Sequence, residues 1–567
     1  MTSSISNGAR MIELLEGVYG PVIAAELFPR IAALIALYKK KITPSESGWS
    51  ERDALLITYG DSIVDGQPPL QVLHNFLSQK VGEIISFVHL LPFYPYSSDD
   101  GFAVEDFRAV RDDLGNWDDV IKMSADYRLV FDGVINHVSS SSIYMKGYTA
   151  GDPQYADFFI ALAPDTDTSK VLRTRNLPLL HNYETVDGIK WLWTTFSRDQ
   201  PDLNFSNPNV LIEILDVLLG YAQKGAAMIR LDAIPYMWKE LGTSCAHLPQ
   251  THDLIKLMHE VFVAAAPHVI LLTETNCPHL ENVEYFGNRG DEAQMIYNFT
   301  LAPLIVWSLH TGDATVLTEW ASGVEKISDN ATFLNITATH DGIGMRPTEG
   351  ILSEEARVKM VQMSIDHGGD VTGKRNSDGS ISPYEINLNY FDAINDPRSD
   401  EPIETAFKRF IVSQAIPMAM IGIPGIYIHS LLGSRNYYDG VKETGRARTI
   451  NREQLNIVTL AAELANPASL KSKVFNEMKR LLKIRAQQSA FHPNALQRIL
   501  DLGPELFAID RYNETTGQRI TALHNITNTR ITVEVEEIDG ATDVLTGRVV
   551  ESSPIVLEPY QVCWLAE

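Results

Sequence analysis

Eight strand-length apolar runs recur along the 567-residue chain, separated by longer amphipathic stretches. They occupy residues 55–59, 85–91, 129–135, 227–231, 269–273, 294–297, 332–337 and 421–428. A strand that is apolar at every residue, rather than at every second one, is covered on both faces. Such strands alternating with helices specify a parallel sheet. Eight of them predict an α/β fold of the (β/α)8 TIM-barrel type.

The spacing is uneven, and the irregularities predict the organisation of the rest. Residues 1–50 read as an N-terminal helical extension, because Ile12, Leu14, Leu15, Val18, Ile31, Leu34, Ile35 and Leu37 recur at helical spacing before the breaker Pro44-Ser45-Glu46-Ser47-Gly48. The catalytic barrel is expected over 51–500. The third gap is far longer than one helix needs and carries Gly151-Asp152-Pro153, so a small insertion is expected at about 138–224. A second, marked by Gly368-Gly369-Asp370, is expected at about 345–410. From 501 to 567 the runs become short and β-rich with turn residues between them, which predicts a C-terminal antiparallel β domain.

Charge and cysteine usage narrow the function classes. Lys and Arg number 47 against 72 Asp and Glu, a net charge of −25. That surface repels phosphate backbones, and a nucleic-acid partner is not expected. The three cysteines, Cys245, Cys277 and Cys563, are odd in number and widely spaced, which fits neither a disulfide framework nor a zinc knuckle. No signal peptide is expected, since the N-terminal apolar stretch is cut by Glu13, Glu16, Glu26, Pro29 and Arg30, and no membrane span, since the longest apolar run, 415–428, is short and broken by Pro417, Gly422, Pro424 and Gly425. A cytoplasmic protein without a membrane partner is the expectation.

Polar clusters sit at or near where barrel strands should end, which is where barrel enzymes place their chemistry. They are Asp132 through Asn136-His137, Arg230-Leu231-Asp232, Thr273-Glu274, and Thr339-His340-Asp341, with Asp99, Asp100 and Phe102 after the second run. Each alone has a bland reading as a cap, turn or structural ion pair. Their joint occurrence at strand ends has none. Three carboxylates around one cavity point to glycosyl transfer, which needs a nucleophile or base, a proton donor and support for an oxocarbenium-like transition state. Asp232, beside Arg230, suits the nucleophile, because a nearby cation keeps a carboxylate ionised. Glu274 follows an apolar strand, and desolvation would raise its pKa as a general acid requires. Asp341 would hold sugar hydroxyls and distort the ring. His137 and His340 would donate to hydroxyls, and Phe102 would stack on the sugar.

These motifs, in this order, resemble the α-amylase superfamily of retaining glycoside hydrolases and transglycosylases, over roughly residues 50–567. Within it the chain resembles the sucrose phosphorylase-like group, through Leu56-Ile57-Thr58-Tyr59, His89-Leu90-Leu91-Pro92-Phe93, Leu114-Gly115-Asn116-Trp117-Asp118-Asp119-Val120, Gly242-Thr243-Ser244-Cys245 and Asn451-Arg452. The N-terminal extension, Trp238-Lys239-Glu240, Ser382-Pro383-Tyr384-Glu385-Ile386-Asn387 and Leu432-Gly433-Ser434-Arg435-Asn436 are similar to the glucosylglycerate and glucosylglycerol phosphorylases. The resemblance implies Asp232 as nucleophile, Glu274 as acid/base and Asp341 as transition-state stabiliser. It implies a glucose subsite of Asp99, His137, Arg230, His340 and Arg448, with Phe102 and Phe196 as apolar walls and Gln200 in the pocket lining. It implies Arg175 as a phosphate-side cation. It implies no cofactor and no catalytic metal, and as partners only an α-glucoside and inorganic phosphate.

The aglycone is read from charge. Glycerate would want a cation and glycerol would not. The loop after Asp341 holds one cation, Arg346, and one acid, Glu349. The acidic chain suits a saline cell, and glucosylglycerol is a salt-stress solute, so glucosylglycerol is the expected substrate. Glucosylglycerate is the alternative, followed by sucrose or sucrose 6'-phosphate, and by a non-catalytic amylase-like subunit. On the glycerol reading Arg346 and Lys239 should each be neutralised by an acid, with Glu349 and Glu240 nearest in sequence.

Overall fold

The computed structural model describes residues 2–288, 290–376, 379–536 and 538–567. Eight parallel strands close into a barrel: β1 (Leu55–Thr58), β2 (Phe87–Leu90), β3 (Arg128–Gly133), β4 (Ala226–Leu231), β5 (Ile270–Thr273), β6 (Met295–Asn298), β7 (Thr332–Ile336) and β8 (Ile423–Tyr427). Each pairs with its sequence neighbours, and β8 returns to β1 with Gly425 opposite Leu55. Seven of the eight are buried at every residue, and β3 at all but Arg128. That burial explains why their sequences run apolar without alternation.

The helices around the barrel carry ordinary sequence-coded ends. Pro208–Gln223 starts on Pro after an Asn207 cap, where a missing N–H costs nothing. Trp117–Met123 is opened by a full capping box in which Asn116 and Asp119 satisfy each other's backbone N–H groups. The Asn116-to-Asp119 motif is therefore a helix start.

The N-terminal segment forms two helices, α1 (Thr2–Tyr19) and α2 (Pro21–Tyr38). By length and composition α2 is apolar enough to cross a bilayer. Its Ala24, Leu27, Ile31 and Tyr38 are buried, and the Tyr38 hydroxyl donates to Asp216 at 2.8 Å. The pair packs on the barrel helices Pro208–Gln223 and Pro249–Ala265.

Between β3 and β4 lies a three-stranded antiparallel sheet of Ala161–Leu162, Leu180–Thr185 and Gly188–Trp193. Between β7 and β8 lies another, of Ile343–Gly344, Asp370–Arg375 and Ile381–Asn387. Its central strand puts Glu385 opposite Gly344, three residues beyond Asp341. The C-terminal six-stranded sheet begins with Leu496–Leu500, ahead of residue 501 where the sequence texture changes. That strand is partly exposed along its length, so it lacks the apolar signature of its neighbours.

Candidate active site

At the C-terminal rim of the barrel the chain converges on one pocket. Asp232 and Glu274 each stand just beyond a strand and extend its ladder, with Asp232 N–H donating to the Gly133 carbonyl at 3.1 Å and Glu274 N–H to that of Leu231 at 3.0 Å. The sequence fixes both side chains at the rim by placing them at the end of an apolar run. Ala233 then turns left-handed at φ 50°, and its N–H donates to Glu274 Oε2 at 3.1 Å.

Arg230 organises the charges. Its Nη1 donates to Asp132 at 2.5 Å and to Asp232 at 2.9 Å, and its Nη2 lies 4.0 Å from Glu274. Asp132 is fully buried and also hydrogen-bonds His89 Nε2 at 2.8 Å. Burial and the neighbouring carboxylates push Asp232 and Glu274 up, each to about 7. The pair therefore holds about one proton at neutral pH. Arg230 is in direct contact with Asp232 and more distant from Glu274, so the charge rests on Asp232 and the proton on Glu274. An ionised carboxylate and a carboxylic acid facing one cavity are the two groups a double displacement at a sugar carbon needs.

Asp341 is held differently. Burial would raise its pKa, but Arg448 at 2.6 Å, His340 at 3.6 Å and Arg452 at 3.4 Å hold it well below the usual carboxylate range. It stays anionic, as a group opposing developing positive charge on a sugar ring should.

The remaining residues singled out from the sequence lie around the same space. Asp99, Phe102, His137, Arg175, Phe196, Gln200, His340 and Arg448 line the pocket with the three carboxylates, and Arg230 lies behind them. Phe102 and His340 stack with ring centres 4.9 Å apart. Gln200 donates to Asp99 at 3.0 Å. Arg175 lies over the rings of Phe196 and Tyr384. His137 differs in one respect from its sequence reading: its Nε2 is 2.8 Å from the Phe102 carbonyl, so its proton goes to the protein rather than to a sugar hydroxyl.

The chain matches the α-amylase family's catalytic domain over residues 81–342. It is 46% identical to the glucosylglycerate phosphorylase of Allomeiothermus silvanus, across 92% of each chain. The chain belongs to the α-amylase superfamily. Within the superfamily it falls in the sucrose phosphorylase-like group, and it is a glycosyltransferase of the disaccharide-phosphorylase type. A glucosylglycerol phosphorylase from Marinobacter adhaerens is 26% identical, across 77% of this chain and 87% of that one. The sucrose 6F-phosphate phosphorylase from Thermoanaerobacter thermosaccharolyticum shares the fold, with a TM-score of 0.74 at 23% identity over 89% of this chain and 98% of that one.

This α-amylase superfamily pocket also contains residues that the sequence reading left without a role. Tyr236, Asn276, Cys277 and Tyr384 complete its wall. Glu385, almost fully buried, accepts a two-pronged bond from Arg448 at 3.0 and 2.6 Å and a third from the Gly342 N–H at 2.9 Å. A Cβ at Gly342 would fall 2.6 Å from the Glu385 side chain and 2.5 Å from the Ile386 carbonyl, so only glycine admits this approach. Glu385 thus fixes Arg448, which in turn grips Asp341. Arg452 holds Asp100 and reaches Asp341 from the other side.

Glu385 is accordingly a positioning residue. Glu385→Gln keeps its shape but weakens the fork to Arg448. A charge-assisted pair is worth ~1.5–3 kcal/mol, so kcat should fall by roughly ten- to a hundred-fold with KM nearly unchanged. A structural role alone would instead lower Tm and leave kcat intact.

Proposed function

We propose that the protein is a retaining glucosylglycerate phosphorylase. It transfers glucosyl from α-glucosylglycerate to inorganic phosphate and releases α-glucose 1-phosphate and glycerate. Asp232 attacks the anomeric carbon while Glu274 protonates the leaving oxygen. Phosphate then attacks the glucosyl–Asp232 ester with Glu274 as base, so two inversions return the α configuration. Asp341 and its arginines support the charge that develops on the ring.

One observation carries the choice of aglycone: Arg175 lines the pocket and Arg346 lies just behind its wall, 3.5 Å from the Asn276 carbonyl, both without tight carboxylate partners among the described residues. Arg175 makes only a 3.4 Å bond to the Thr174 carbonyl besides its ring contacts. Arg346 is buried behind Tyr236, Cys277 and Tyr384, its Nε makes no hydrogen bond, and its nearest acids, Glu281 and Glu349, are 3.7 and 4.0 Å away. Glycerol gains nothing from such a field, whereas glycerate and phosphate do.

This replaces the glucosylglycerol reading. The neutralisation expected of Arg346 by Glu349 is only a loose pairing at 4.0 Å, because Lys374 at 3.0 Å and Arg357 at 3.6 Å share that acid. Lys239 is neutralised, but by buried Asp202 at 2.6 Å rather than by exposed Glu240. The identity to the A. silvanus enzyme supports the same choice.

The test is the reverse reaction from α-glucose 1-phosphate. Glycerate should exceed glycerol in kcat/KM by at least about tenfold, ~1.4 kcal/mol. Arg346→Gln should lower the glycerate value by roughly ten- to a hundred-fold and leave glycerol nearly unchanged. Equal use of the two acceptors by the unaltered enzyme would return the glucosylglycerol reading.

A further inference from the structure

Among the described residues, one set of His, Cys and carboxylate side chains is close enough to grip a single ion, and it reaches the wall of the pocket through Cys277. It consists of His247, Cys277 and Glu281, with one ligand atom from each within 4.8 Å of the others. They come from two segments, one carrying His247 and the other carrying Cys277 and Glu281. His247 sits in a left-handed turn at φ 55°, tied by its N–H to the Pro235 carbonyl at 3.0 Å. Cys277 follows Glu274 by three residues, is almost fully buried and lines the pocket. Glu281 lies in the first turn of the helix His279–Val283.

The geometry between the ligands is informative. His247 Nε2 is buried and makes no hydrogen bond, although Glu281 Oε2 is only 3.3 Å away. Two light-atom ligands at ~2.0–2.1 Å from a tetrahedral ion stand ~3.3 Å apart. The other ring nitrogen, Nδ1, is 3.0 Å from the Tyr285 hydroxyl. The Tyr285 oxygen can accept the Nδ1 proton, the arrangement that leaves Nε2 free to ligate and the usual outer support of a metal-bound imidazole.

We propose that His247 Nε2, Cys277 Sγ and Glu281 bind a zinc-class divalent cation that restrains acceptor entry. A thiolate with an imidazole selects zinc or cobalt over magnesium or calcium. The Sγ–H proton leaves to solvent as the sulfur–metal bond forms. Three protein ligands leave a fourth position, and because Cys277 is pocket wall that position opens toward the acceptor. Arg346, 3.7 Å from Glu281, is the nearest cation. The ion takes Glu281 from it, and Arg346 keeps Glu349 at 4.0 Å. The ion thereby changes the charge and the space the acceptor meets without touching Asp232 or Glu274.

Cobalt(II) titration of the purified full chain tests the site. One equivalent should bind and give the near-ultraviolet charge-transfer absorption of a cobalt–thiolate bond. Cys277→Ser should abolish that absorption, and Tyr285→Phe should weaken binding by roughly ten- to a hundred-fold. Absence of the band, or its persistence in Cys277→Ser, where Cys245 and Cys563 remain, overturns the site. Zinc should inhibit phosphorolysis over the same concentration range, and each variant's own metal-free rate is the reference for its loss of inhibition. This second arm rests on the phosphorylase reading, and the spectral arm does not. A cobalt band without zinc inhibition would overturn the restraint on the acceptor.

Discussion

Asp232→Asn should lower phosphorolysis of the α-glucoside by at least ~10⁴-fold, because it removes the atom that carries the glucosyl group between the two half-reactions. The substitution is nearly isosteric, and the amide can still accept from Arg230, so folding should be retained. Arg230 keeps Asp132 as its 2.5 Å partner, so the cation is not left alone. The loss is therefore chemical. Azide added to this variant should attack an activated α-glucosyl donor directly and give the β-glucosyl product by a single inversion. The unaltered enzyme, with two inversions, should give only α products. A variant retaining more than a few per cent of the activity would remove Asp232 from the role of nucleophile.

The barrel and the position of this residue are legible in the sequence for a physical reason. Parallel strands covered on both faces must be apolar throughout, so each announces itself, and any charged residue at its end is conspicuous. Arg230 and Asp232, at the end and edge of Ala226–Leu231, stand out for that reason. The supports behind them are not legible, because they depend on pairing across the fold. Glu385 is 44 residues from Asp341, and the two share Arg448 only because the inserted sheet sets Glu385 opposite Gly344. Lys239 illustrates the opposite error. Its sequence neighbour Glu240 is exposed, whereas Lys239 points inward to Asp202, 37 residues earlier. The aglycone is hard to read for a third reason. A net charge of −25 describes the whole chain, whereas the pocket itself presents Arg175, with Arg346 behind its wall.

The second large effect belongs to the proton. Glu274→Gln should lower phosphorolysis of glucosylglycerate by ~10²–10⁴-fold, the range for loss of a positioned general acid. α-Glucosyl fluoride should lose far less in the first half-reaction, since fluoride departs without a proton. The pH dependence gives the sign independently. Asp232 and Glu274, each pushed to about 7 by burial, share one proton in the active form. At low pH both are protonated and the nucleophile is lost. As pH rises through about 7 the shared proton leaves and the acid is lost, so kcat/KM should follow a bell. In Glu274→Gln the group that loses that proton is gone. The alkaline limb should therefore disappear, and what remains is a single rise as Asp232 ionises. With one carboxylate fewer to repel it, and with Arg230 still 2.9 Å away, Asp232 should ionise at a lower pH than in the parent enzyme. An alkaline limb that survives in Glu274→Gln would mean that another group supplies the proton.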